Sequence, residues 1–67
     1  MNRLRELRKA QGLTLDDVEN ITGIKRGTFN NYENGKTEPK LDTWQKLAEA
    51  LNVTPQYLVG WTDDPHS

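Results

Sequence analysis

Residues 13–35 read Leu-Thr-Leu-Asp-Asp-Val-Glu-Asn-Ile-Thr-Gly-Ile-Lys-Arg-Gly-Thr-Phe-Asn-Asn-Tyr-Glu-Asn-Gly, a run that predicts two short helices bent around Gly23. Glycine has no Cβ and tolerates the left-handed backbone that ends one helix and redirects the chain. Ile24 packs the turn. At 100° per residue, Phe29 and Tyr32 set the inward side of the second helix, while Gly27, Asn30, Asn31 and Asn34 fall opposite and Arg26 and Thr28 lie on the flanks. The rest of the chain is expected to support this corner.

The other segments repeat the same grammar. Leu4, Leu7 and Ala10 share one face until Gly12 interrupts them, which predicts helix 1 over residues 2–11. Thr14 precedes Leu15 with Asp17 three positions on, an N-cap pattern that starts helix 2 at about residues 15–22. Helix 3 covers about residues 26–34 and stops at Asn34-Gly35; a hairpin there is excluded because the flanks do not alternate. After a loop containing Pro39, the stripe Leu41, Trp44, Leu47, Ala48, Leu51 predicts helix 4 over residues 42–51, with Asp42 and Gln45 as a second capping box. Thr54-Pro55 then opens a short helix 5, residues 55–59, closed by Gly60. The expected fold is all-α, a compact five-helix domain over residues 1–60, followed by an acidic, loose tail or linker start over 61–67.

A chain of 67 residues buries only about 60% of its unfolded surface, so the core must be small. There is no cysteine, and the one histidine, His66, cannot form a zinc site by itself; no metal or cofactor is expected. Apolar runs fall far short of the roughly 20 residues that span a bilayer. The expectation is a soluble protein of the bacterial cytoplasm, associated with the nucleoid and away from the membrane. Net charge is −1, against the usual basic footprint of a nucleic-acid binder, yet it divides unevenly. Residues 1–36 carry +2 and residues 37–67 carry −3, as suits one face toward phosphate.

The outer face of helix 3 has no carboxylate and almost no apolar bulk. Asn pairs bidentately with adenine, Arg with guanine, and a Thr methyl meets that of thymine. Arg26, Gly27, Thr28, Asn30 and Asn31 are therefore the candidate base-contacting residues, and Lys25 at the helix start suits phosphate. Mid-helix Asn is unfavourable by propensity, which speaks for a ligand role at Asn30 and Asn31; at Asn34, beside Gly35, capping is an equal alternative. Arg8 and Glu33 lie on the edges of the apolar faces of helices 1 and 3, and are expected to pair across them. Trp44 is expected in the core. Trp61 either folds back on the core or anchors a second subunit, and Tyr57, Leu58 and Trp61 are the candidate dimer surface.

Leu-Arg-x-x-x-Gly-Leu-Thr, the turn Thr22-Gly23-Ile24, and above all Tyr32-Glu33-Asn34-Gly35-Lys36 with Pro39 soon after, resemble the Cro/C1-type helix-turn-helix family of phage repressors and bacterial regulators. The likeness covers about residues 2–60, through Leu51-Asn52-Val53 and Tyr57-Leu58-Val59-Gly60. It implies a lambda-repressor-like fold in which helix 3 enters the major groove and a symmetric dimer reads two half-sites. By position it implies base contacts from Arg26, Gly27 and Asn31, with Thr28 and Asn30 adjacent, and phosphate contacts at or near Thr14, Asn34, Lys36 and Lys40. It also implies the Arg8–Glu33 pair. Two positions depart from the family pattern. Leu15 stands where a phosphate-binding Gln is common, and Glu19 where a small residue lets helices 2 and 3 approach. The Glu19 stem is expected either to reach outward or to hold the helices apart.

Asp16 and Asp17 are adjacent and do not converge on one site, and no nucleophile with a nearby base or phosphate-cradling loop is visible, so no enzyme and no small-molecule site are expected. The residues point to a sequence-specific regulator, a repressor of the phage or prophage kind, that binds double-stranded DNA at a pseudo-palindromic operator as a homodimer. The alternative is an antitoxin or adaptor of the same fold that acts through protein contacts.

Overall fold

The chain alternates five helices with short loops: α1 (Leu4–Ala10), α2 (Leu15–Thr22), α3 (Arg26–Asn34), α4 (Leu41–Ala50) and α5 (Pro55–Val59). This arrangement is seen in a computed structural model that describes residues 2–66; Met1 and Ser67, at the outer limits of the expected domain and tail, lie outside the described residues. The corner forms as expected. The Thr14 hydroxyl accepts from the Asp17 N–H at 3.1 Å and the Asp17 carboxylate accepts from the Thr14 N–H at 2.8 Å, a complete capping box. Gly23 then takes φ 77° and Gly35 φ 75°, ending α2 and α3 in the left-handed region.

Two boundaries shift for local reasons. In α1, Asn2 stays outside the helix: its Oδ1 accepts from the Leu4 N–H and its Nδ2 donates to the Tyr32 carbonyl, which ties the chain start to α3. α4 begins at Leu41, with Lys40 extended at the N-cap position behind a buried Pro39. Asp42 accepts from the Thr43 N–H next to it, so the expected Asp42/Gln45 box is replaced by a helix start without a side-chain cap.

Leu4, Val18, Phe29, Leu47, Ala48, Leu51 and Leu58 form the buried core, with all five helices contributing. Leu7, Leu13, Leu15, Ile24, Tyr32, Trp44 and Val53 pack around it, which places Trp44 against the core as expected. Burying a side chain such as Phe29 or Leu58 stabilises by about 1.5–3 kcal/mol. Ala10 and Leu41 were expected on inner faces but are exposed, Leu41 by 71%. Each sits at the end of its helix, where the stripe runs past the neighbouring element. α2 packs on both α3 and α4, α1 on α3, and α5 on α4.

The segment after Gly60, expected as a loose tail or linker start, makes hydrogen bonds back to the domain. The Trp61 N–H donates to the Gln56 carbonyl at 2.8 Å, and the Thr54 N–H donates to the Pro65 carbonyl at 2.9 Å. Arg3 completes the clasp. Its guanidinium lies 4.1 Å over the Tyr57 ring, donates to the Thr62 carbonyl at 3.1 Å and pairs with Asp63 at 2.8 Å. Among the described residues no helix is long and apolar enough to cross a membrane.

Candidate nucleic-acid interface

The interface is built on α3, whose inner side is anchored by fully buried Phe29 and half-buried Tyr32. That anchorage turns the opposite side outward. Arg26, Gly27 and Thr28 are exposed at its start, and Asn30 and Asn31 are partly exposed a turn further on. Thr14 at the start of α2, Lys25 at the start of α3, and Lys36 and Lys40 in the loop before α4 are also exposed. Asn34 is exposed as well, and its Oδ1 accepts from Arg5 Nη2.

α3 is locked against α1 by ionic contacts. Arg8 Nε donates to Glu33 Oε2 at 2.7 Å and its Nη2 reaches Oε1 at 3.4 Å, while Nη1 donates to the Leu13 carbonyl at 3.0 Å. The Glu33 side chain is only 1% exposed and that of Arg8 12%, so this pair is desolvated and removal of Glu33 strands the Arg8 charge. Arg5 adds a longer contact to Glu33 Oε1 at 3.5 Å.

α2 holds the other end of α3, through two carboxylates that sequence reasoning did not assign to the site. Lys25 occupies the α3 N-cap position and offers no side-chain acceptor. Glu19 supplies one from outside: its Oε1 accepts from the Arg26 N–H at 2.9 Å. The Glu19 carboxylate thus reaches across to the first residue of α3. Asp16 Oδ1 accepts from Arg26 Nη1 at 3.0 Å, with both side chains about two-thirds exposed. A helix start with no Ser, Thr, Asp or Asn before it was the one available signal that a remote acceptor was needed. Leu15, half-buried against the core, brings no polar group to this edge.

The proposed dimer residues separate in space. Leu58 is completely buried in the protomer's own core and is unavailable to a partner, and the Tyr57 ring is covered by Arg3. Trp61 is 82% exposed and does not fold back on the core. It borders an open groove of about 890 Å³ that also involves Leu41, Trp44 and Val59 and adjoins the end of α3 at Asn34 and Gly35.

Two helices joined by a tight glycine turn, the second presenting an outward polar face, define a helix-turn-helix domain. The helix-turn-helix family model matches residues 4–58, and the chain belongs to this Cro/C1-type family. The chain is similar to the uncharacterized HTH-type transcriptional regulator YobD of Bacillus subtilis, 40% identical over 63 residues, 94% of this chain and 56% of that protein. It is also similar to the cryptic phage CTXphi transcriptional repressor RstR of Vibrio cholerae, at 36% over 58 residues, 87% of this chain and 52% of the repressor. A third relative is the HTH-type transcriptional regulator DdrOP3 of Deinococcus deserti, 40% identical over 57 residues, 85% of this chain and 44% of that protein. The chain thus spans about half the length of these relatives.

Proposed function

We propose that the chain is a sequence-specific, double-stranded DNA-binding transcriptional regulator of the phage or prophage repressor kind, which inserts α3 into the major groove. The observation that carries this reading is the outer face of α3: Arg26, Gly27, Thr28, Asn30 and Asn31 contribute no carboxylate of their own, on a helix clamped by α1 and α2. Arg26 and the two asparagines read base edges, and Thr14, Lys25, Asn34, Lys36 and Lys40 set the register on phosphate. The similarity to a phage transcriptional repressor supports the same reading. The protein acts in the bacterial cytoplasm, on the nucleoid.

A homodimer on a pseudo-palindromic operator completes the proposal. Trp61 and Leu41, exposed beside the groove, are the apolar groups that a second copy covers. Selection of bound duplexes from a random pool tests the whole reading. It should return two half-sites about 34–36 Å apart. On the selected site Arg26→Ala should cost about 1–3 kcal/mol and relax preference at one base pair, whereas Lys36→Ala should weaken all duplexes alike and flatten the salt dependence. Equal affinity for every duplex, unchanged by Arg26→Ala or Asn31→Ala, would sink the proposal.

A further inference from the structure

The Asp16 carboxylate poses a physical problem for a DNA-facing surface. It stands on α2 beside the exposed start of α3, where phosphate oxygens repel a negative charge, and its only hydrogen bond among the described residues goes to Arg26 Nη1 at 3.0 Å. As a contributor to stability the pair is weak, since the two side chains are 66% and 68% exposed and water screens them. Its value lies in geometry. Glu19 already fixes the Arg26 backbone N–H, so α2 grips one residue of α3 at two points, main chain and guanidinium.

From this double grip we infer that Asp16 is a positioning residue for base readout: it holds the Arg26 guanidinium so that its remaining edge faces a guanine. The chemistry matches the bond pattern. Asp16 occupies Nη1 alone, and the Nε and Nη2 edge makes no hydrogen bond to the described residues. Two parallel donors on one edge are what guanine O6 and N7 accept. A long arginine side chain otherwise loses rotamer freedom on docking, and one carboxylate contact made beforehand removes part of that loss. The same contact neutralises the Asp16 charge, lowering its repulsion toward phosphate. Selectivity rises at one base pair while general affinity for DNA falls slightly.

The inference rests on the proposed reading of α3, and opposing signs make it testable separately. Binding is measured for wild type, Asp16→Asn, Arg26→Ala and the double variant, on the selected site, on its single-base variants and on unrelated duplex, with thermal unfolding recorded for each. In Asp16→Asn, discrimination at the base pair that Arg26→Ala identifies should fall by roughly three- to tenfold, with other base pairs unaffected. Affinity for unrelated duplex should stay level or rise. In the Arg26→Ala background, Asp16→Asn should leave discrimination unchanged. Full discrimination retained by Asp16→Asn, or an equal loss at every base pair, overturns the positioning role while leaving DNA reading intact. A wild-type protein with no base preference overturns both.

Discussion

Gly27 is the second residue of α3 and the one whose role in folding is easiest to separate from a role in binding. Its backbone is not in the left-handed region, and a Cβ built there meets nothing within 4 Å. Glycine is disfavoured relative to alanine in a helix by about 1 kcal/mol, less in the first turn. Gly27→Ala is therefore expected to leave the fold unchanged or raise stability by a few tenths to about 1 kcal/mol. If α3 enters the groove as proposed, binding to operator DNA should weaken, because the added methyl would stand between backbone and groove; calorimetric unfolding beside DNA titration separates the two effects. Asp17 is the other residue with an isolable contribution. The Thr14 backbone N–H, and then the Thr14 hydroxyl, hold its carboxyl below its ordinary value near 3.8. A depressed carboxyl pKa contributes stability above the unfolded value that is lost as pH falls through the folded one. Asp17→Asn should thus lower the melting temperature at neutral pH, and the gap to wild type should close as pH drops below about 4. A gap independent of pH would show that the cap does not depend on charge.

At the scale of helices, α3 is positioned by three neighbours acting differently. The core holds it through Phe29, α1 holds its later half through Arg8 and Glu33, and α2 holds its first residue through Glu19 and Asp16. Only the Arg8–Glu33 contact is desolvated, so it carries the largest energetic consequence. Glu33→Ala is expected to destabilise by about 3–5 kcal/mol, since it strands Arg8 largely out of water, and Arg8→Ala by somewhat less, because Arg5 still contacts Glu33. In a double-mutant cycle the pair should be strongly non-additive. Replacing both with apolar side chains of similar volume should come close to wild-type stability. Additive single losses would mean that the ions act independently. The pairing was legible in sequence because both residues bordered apolar faces. The α2 contacts were not, because a surface carboxylate on α2 gives no indication of which backbone N–H it faces until α2 and α3 are packed.

At the scale of the whole molecule, the surface to test for assembly is the groove lined by Asn2, Arg5, the end of α3, Leu41, Trp44 and Trp61. Trp61 and Leu41 are large, apolar and exposed, and they flank a groove that starts where α3 ends. Trp61→Ser should leave protomer stability nearly unchanged, because its ring is already in water. If a second copy covers it, affinity for a full palindromic site should fall by about tenfold or more while affinity for an isolated half-site is preserved. Equal losses on both sites would place Trp61 in DNA contact or folding instead. Position in sequence suggested Tyr57 and Leu58 for this surface as well. Tertiary packing turned Leu58 into the core and placed Arg3 over Tyr57.

What the sequence determined alone is short-range: five helices, most of the stops that end them, the Thr14–Asp17 cap, and the inner and outer faces of α3. These follow from side-chain spacing on one helix and from backbone freedom at single residues, and both act within about one or two turns. Apart from the Arg8–Glu33 pair, only the tertiary structure decided which residues meet across elements. Arg3 clasping residues 62 and 63, Glu19 capping Arg26, Asp16 holding the Arg26 guanidinium and Leu58 turning inward all depend on how separate helices meet. Periodicity places a residue on a face; packing alone determines what that face meets.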